Sequence, residues 1–198
     1  MYSEFVTYRA LWVAAKRLLM DANREAEGRA NRLIGATLCT YFALEGFAND
    51  LGERIAPGEW ANEKEFFGRG AQRGTLGKIR FLAEITRSSL DRGSRPYQTL
   101  RELERVRHDL VHPRTVIGME VDFDSDGIIE LPDSNALRTI EKSDWVERAL
   151  SDVNALGDQL LRDAKLGFPA QLAMRGTYAF DGAIASAIGW GPPLGSAS

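Results

Sequence analysis

The chain has 198 residues, 44% hydrophobic and 27% charged, with a formal net charge of −3, which predicts one soluble globular domain with a tail and is too acidic for a nonspecific nucleic-acid coat. The single cysteine, Cys39, excludes an internal disulfide and a multi-cysteine zinc site and makes a reducing cytoplasm the expected compartment. The N-terminal apolar run is cut by Lys16 and Arg17, so no secretory leader is predicted, and no window approaches the roughly 20 apolar residues that a membrane helix needs.

In chain order, Phe5, Tyr8, Leu11, Trp12, Ala15, Leu18 and Leu19 recur at helical spacing and predict a helix from residue 3 to about 24, capped by Ser3. A long second helix is predicted from about 26 to 55. Its apolar positions, Leu33, Tyr41, Phe42, Phe47 and Ile55 among them, nearly encircle the axis, as in a central buried helix. Glu45 lies among Phe42, Leu44 and Phe47, where a carboxylate is expected to be paired, with Arg107 as the candidate partner. Pro57-Gly58 ends this helix, and the stretch to Gly77 reads as a short helix plus an irregular connection. The glycines around Arg69 and before Lys78 lack the Walker spacing and a preceding strand, so they predict a loop and not a phosphate cradle. Thr75 is read as the cap of a helix reaching about Leu90, followed by a turn over 91–96.

Residues 100–114, LRELERVRHDLVHPR, hold both histidines and read as a helix stopped by Pro113. At 100° per residue, Leu100, Leu103, Val106, Leu110 and Val111 form an apolar arc, and Arg101, Arg105, His108 and His112 form a basic stripe. Arg107 falls inside the apolar arc, where a guanidinium needs a carboxylate, a phosphate or a second chain. After Pro113 the period becomes two. The alternation over 116–131, broken by Ser125-Asp126-Gly127, predicts a β-hairpin. A last strong helix is predicted from Glu141 or Ser143 to about Gly167, with Trp145, Val153 and Leu160 on its apolar face. Residues 169–198 form a Gly/Ala-rich tail whose Tyr178, Phe180 and Trp190 are expected to cover the core or a partner. The predicted fold is thus all-α: a bundle of about five helices over 1–168, with a β-hairpin inserted before the last long one.

Charge is distributed unevenly along this order. Residues 69–114 hold eleven basic and five acidic residues, a balance of +6, and residues 115–164 hold four and twelve, a balance of −8. Two solvated faces of opposite sign account for this, as does a basic surface for a polyanion beside an acidic flank that limits where it binds.

Metal-free cleavage of a phosphodiester needs an imidazole, with an ordinary pKa of about 6.5, to move the proton, and a guanidinium to hold the phosphate as charge builds on its oxygens. Arg107, His108 and His112 are those residue types. On a straight helix, however, Arg107 and His112 lie about 140° apart, so convergence needs a distorted helix end or a two-fold-related copy. A structural arginine beside a histidine at a helix C-terminus explains the same letters. Metal readings are weaker. His108 and His112 imitate HExxH with Asp109 for Glu but have no third ligand. Asp122, Asp124, Asp126 and Gly127 match half a calcium loop that then meets Pro132 and Asp133, which an Asp/Gly-rich turn explains equally. No cofactor and no metal is predicted.

The segment Arg107-His108-Asp109-Leu110-Val111-His112 resembles the signature of the HEPN superfamily, an arginine and a histidine separated by four residues at the end of a bundle helix. The stretch YFALEGFANDLGE, residues 41–53 with its acidic Glu45, is similar to the first long core helix of such proteins. Together the likeness spans about 28–165. It implies a helical bundle that dimerises so that two motifs line one cleft, and a metal-independent endoribonuclease acting on single-stranded RNA. By the same resemblance Arg107 binds and polarises the phosphate, His112 is the general acid or base for attack by the ribose 2′-OH, and His108 positions both. Arg101, Arg105 and Arg114 are the candidate substrate-binding residues, and Glu45 and Asp109 the supporting ones. The tyrosine that some toxin members carry two residues after the histidine is Arg114 here. The implied setting is defence or toxin–antitoxin biology, with a homodimer and an antitoxin-like protein as partners and no membrane. Two other readings stand beside it: a non-catalytic dimeric HEPN-like binding or scaffold module, and a divalent-metal protein using the acidic hairpin or the two histidines.

Overall fold

The structure, a computed structural model, describes residues 7–112, 135–142, 144–173 and 179–181. Helix α1 (Thr7–Arg24) and the long α2 (Arg29–Ile55) fold back on each other across a short turn and form the most extensive helix pair. Tyr8, Trp12, Ala15, Leu19 and Ala22 of α1 meet Leu33, Ala36, Leu44, Phe47 and Leu51 of α2 in one buried core. Two threonines in α2, Thr37 and Thr40, are fully buried because their hydroxyls donate back to the Leu33 and Ala36 carbonyls, at 2.8 and 2.7 Å.

The connection that follows is more helical than the sequence pattern predicts. It contains α3 (Pro57–Ala61), α4 (Glu63–Phe66) and a 3₁₀ turn over Gly70–Gln72, which lead into α5 (Gly74–Thr86). The Gly74–Lys78 stretch is therefore the first turn of α5 and not a loop. Thr75 lies inside that turn and is not its cap, because Arg73 holds the N-cap position. Gly74 takes φ +69°, where an L side chain is strained, and a Cβ on Gly77 would fall 1.7 Å from the Gln72 carbonyl. Lys78 is buried, its ammonium donating to Asn49 at 2.7 Å and paired with Glu63, so it ties α5 to α2 and α4.

Helix α6 (Tyr97–Val111) carries the histidines. Its core stripe is Leu100, Leu103 and Val106; Leu110 is half-buried, and Val111, expected in the same arc, is exposed. Next come α7 (Asn135–Glu141), which the sequence pattern does not announce, α8 (Trp145–Gly167) and α9 (Pro169–Ala173). Helix α2 touches α5, α6, α7, α8 and α9, which is the central position its all-round apolar pattern predicts. From the segment read as a tail, Leu172 and Phe180 join the core, and Phe180 packs against the rings of Tyr8, Trp12 and Phe47 at 6.0, 4.5 and 5.1 Å. Asp181 then accepts from Trp12 Nε1 and Lys16 Nζ, each at 2.9 Å.

The chain is all-α among the described residues, with no strand there. The predicted β-hairpin, the Asp122 to Asp133 letters, Arg114, Tyr178 and Trp190 lie outside the described residues. No helix among the described residues is long and apolar enough to cross a membrane.

Candidate functional site

Helix α6 is aimed by contacts with α8 near its start. Arg95, just before it, grips buried Asp152 of α8 with two hydrogen bonds of 2.8 Å, and Trp145 Nε1 donates to Glu102 at 2.9 Å. At the other end the helix stops at Val111. His112 leaves the helical region with φ −122° and ψ 63°, as a residue before proline must, and its N–H still bonds the His108 carbonyl at 2.9 Å. With Leu100, Leu103 and Val106 in the core, the adjoining face of α6 is left to form one wall of a cleft.

That cleft, of about 860 Å³, lies between α6, the start of α5 and α2. Arg101, Arg105, Arg107 and His108 line it from α6, and Arg73 and Arg80 line it from the α5 side. Tyr41 of α2 and the carboxylates Glu102 and Glu104 complete the charged and aromatic lining. Of the four residues of the basic stripe, Arg101, Arg105 and His108 share this surface and His112 does not. Two of the cleft's arginines, Arg73 and Arg80, come from a part of the chain that the α6 pattern alone does not reach.

Arg107 resolves its misfit through aromatic rings. Its guanidinium carbon lies 5.2 Å from the Tyr41 ring centroid and 5.8 Å from that of Phe42, within reach of cation–π attraction. The expected pairing with Glu45 is not made: among the described residues Arg107 forms no ion pair within 4 Å. Aromatic faces can hold a guanidinium at the edge of a core without a carboxylate, and they leave its donors uncommitted. The buried Nε of Arg107 has no hydrogen-bond partner. Glu45 stands close enough that its charge helps raise the Tyr41 pKa, although burial does most of this. The Tyr41 hydroxyl shares a hydrogen bond of 2.8 Å with Thr75, which explains why both polar groups are buried.

His108 and His112 are exposed neighbours one turn apart, their rings 5.0 Å centroid to centroid and inclined by 52°. His108 belongs to the cleft wall; His112 does not, and sits beyond it at the exposed end of α6. The helix end does not bring Arg107 and His112 of one chain together, as the 140° wheel angle foretells. Asp109 is exposed and lies outside the cleft lining.

Glu104, like Glu102, Arg73 and Arg80, is a cleft residue that reading the sequence missed. It comes three residues before Arg107 and four before His108, so all three share a face of α6. Its carboxylate faces the Leu76 N–H at the start of α5, a helix with no side-chain cap of its own, and is near enough for a weak hydrogen bond. Burial pushes its pKa above the usual carboxylate range, against the opposing pull of that hydrogen bond and of Arg80, Arg107 and Arg73. The signal available in RELERVRH is an acidic residue on the boundary between the apolar arc and the basic stripe, where a carboxylate has to meet something.

Among the described residues no group of three or more His, Cys, Asp or Glu side chains is placed to hold a metal ion, and the two adjacent imidazoles have no third ligand beside them. Cys39 is a free, half-buried thiol whose pKa burial raises. Compared with protein-family models, curated proteins and solved structures, the chain matches none.

Proposed function

We propose that the chain is a metal-independent endoribonuclease that holds the sugar–phosphate backbone of single-stranded RNA in the α6 cleft and acts as a homodimer. The observation that carries this reading is Arg107: a guanidinium seated on two aromatic rings, its buried Nε unpartnered, in a cleft that four further arginines and His108 also line. A guanidinium with spare donors on a fixed platform suits a phosphate oxygen. The resemblance of the α6 segment to the HEPN signature points the same way. In this reading Arg107 holds the scissile phosphate and an imidazole takes the proton of the ribose 2′-OH. The O2′–P bond then forms as the P–O5′ bond breaks, and a protonated imidazole returns a proton to O5′, leaving a 2′,3′-cyclic phosphate and a 5′-OH. Because His112 lies outside its own cleft, the partner subunit's His112 completes the site in the dimer. An antitoxin-like protein would silence it by covering the same arginines.

The deciding assay is cleavage of single-stranded RNA in EDTA. Wild-type protein is expected to cleave, Arg107→Ala and His112→Ala to lose at least about 100-fold in rate, and His108→Ala to lose less. One observation favours a second reading, a non-catalytic RNA-binding module: in the single chain no imidazole except the exposed His108 reaches the cleft. RNA that is bound tightly and recovered intact from the wild-type protein would establish that reading and overturn the nuclease.

A further inference from the structure

Glu104 is a partly buried carboxylate in the middle of a basic cleft, with no role in the scheme above. It reaches from α6 to the start of α5, where it faces the Leu76 N–H, and its Oε1 lies so close to Gly74 that a Cβ there would stand 3.4 Å away. Three arginines line the cleft with it and act on its charge: Arg73 from the turn before α5, Arg80 from α5 and Arg107 from α6. Arg80 is itself anchored through a hydrogen bond to the Ala71 carbonyl. None of the three forms an ion pair within 4 Å among the described residues, and the buried Nε atoms of Arg80 and Arg107 have no partner. The carboxylate therefore balances the charge of the arginines without using up their donors.

We infer that Glu104 is the internal counter-anion of the cleft: it neutralises Arg73, Arg80 and Arg107 in the free protein, and an entering phosphodiester competes with it for them. This rests on the reading that the cleft takes a phosphodiester. Glu104 then sets how strongly the cleft attracts one, and it is a positioning and specificity-determining residue rather than a catalytic one. One unit charge at the separations of a half-buried site changes affinity by about tenfold. Protonating Glu104 removes that charge, so binding tightens as pH falls through its raised pKa. Tyr41 and Glu102 also line the cleft; burial keeps the Tyr41 phenol protonated throughout this range, and the Glu102 carboxylate is turned to Trp145 Nε1 and Arg148 of α8. His108 on the rim gains charge in the same direction and has to be removed from the comparison.

The test uses the full chain carrying His108→Gln and His112→Gln, with or without Glu104→Gln, and a short fluorescent 2′-O-methyl oligouridylate that cannot be cleaved. Anisotropy is followed from about pH 8 to about pH 5, a range in which phosphodiesters do not titrate. Glutamine keeps an oxygen for the Leu76 N–H and loses only the charge. The expected result is about tenfold tighter binding by the Glu104→Gln protein at neutral pH, with a flat pH profile, while the parent tightens toward it on acidification. Equal or weaker binding by a Glu104→Gln protein of unchanged helical circular dichroism would reduce Glu104 to a structural cap and overturn the inference. If that variant fails to fold, the parent's own profile decides, a flat one overturning the inference. Absence of binding by either protein would defeat the phosphodiester reading as well, whereas equal binding by both defeats the counter-anion alone.

Discussion

A Cβ on Gly52 would lie 2.1 Å from the Trp60 ring, so α2 and α3 meet there on bare backbone. Trp60 cannot retreat freely, because its Nε1 donates to Asn49 and its ring packs 4.7 Å from Phe67 and 5.9 Å from Phe81. Gly52→Ala is expected to cost about 1–3 kcal/mol through overpacking, read as a lower urea midpoint with an unchanged slope. At this scale the sequence is uneven in what it discloses. Arg107 announces itself, since a guanidinium in an apolar arc is an anomaly that a helical wheel displays. What satisfies it is not visible there, because the wheel does not say which neighbouring helix arrives; Tyr41 and Phe42 do the work assigned to Glu45. Glu104 escapes for the opposite reason. In a run of alternating charges its place at the edge of the apolar arc is a faint signal, and its partners arrive only when α5 is folded against it.

Among the elements, the joint between the start of α6 and the middle of α8 aims the cleft wall. Asp152 is buried and Arg95 is exposed, so the two partners are not equivalent when one is removed. Arg95→Ala leaves a carboxylate in the core with no counter-charge, while Asp152→Asn keeps an acceptor for the guanidinium and leaves no buried charge. The expected order of thermal stability is wild type, then Asp152→Asn, then Arg95→Ala, measured by differential scanning calorimetry. The reverse order would mean that the exposed guanidinium needs the pair more than the buried carboxylate does. Long helices were legible because three or more turns of period 3.6 leave a clear stripe, as in α1, α6 and α8, or because apolar positions nearly encircling the axis mark a buried helix, as in α2. Helix α7 spans seven residues, too few for a period to show. The early start of α5 is masked by Gly74 and Gly77, which look like loop formers and are required by a positive φ and by the Gln72 carbonyl.

For the molecule as a whole, the core is closed from both directions along the chain. Phe180 is fully buried against rings from α1 and α2, and a Cβ on Gly157 of α8 would come within 2.5 Å of it, so α8 supplies the floor of its seat. Phe180→Ala should cost about 3–5 kcal/mol, the ordinary penalty for emptying so large a buried volume, and should lower the urea midpoint well beyond what Gly52→Ala does. An effect under about 1 kcal/mol would mean that the segment only rests on the surface. The aromatic letters of 169–198 suggested cover for a core or a partner; what they did not disclose is that α1 pins this segment through the bonds of Trp12 and Lys16 to Asp181, the residue after Phe180.

The seat of Phe180 has a consequence for synthesis. A polypeptide emerging from the ribosome can pair α1 and α2 early, because their contacts are local, but the hole among Tyr8, Trp12 and Phe47 stays open until Phe180 itself has been made. A nascent product halted before this phenylalanine carries an exposed aromatic recess and is a natural client for chaperones and proteases. A finished one does not.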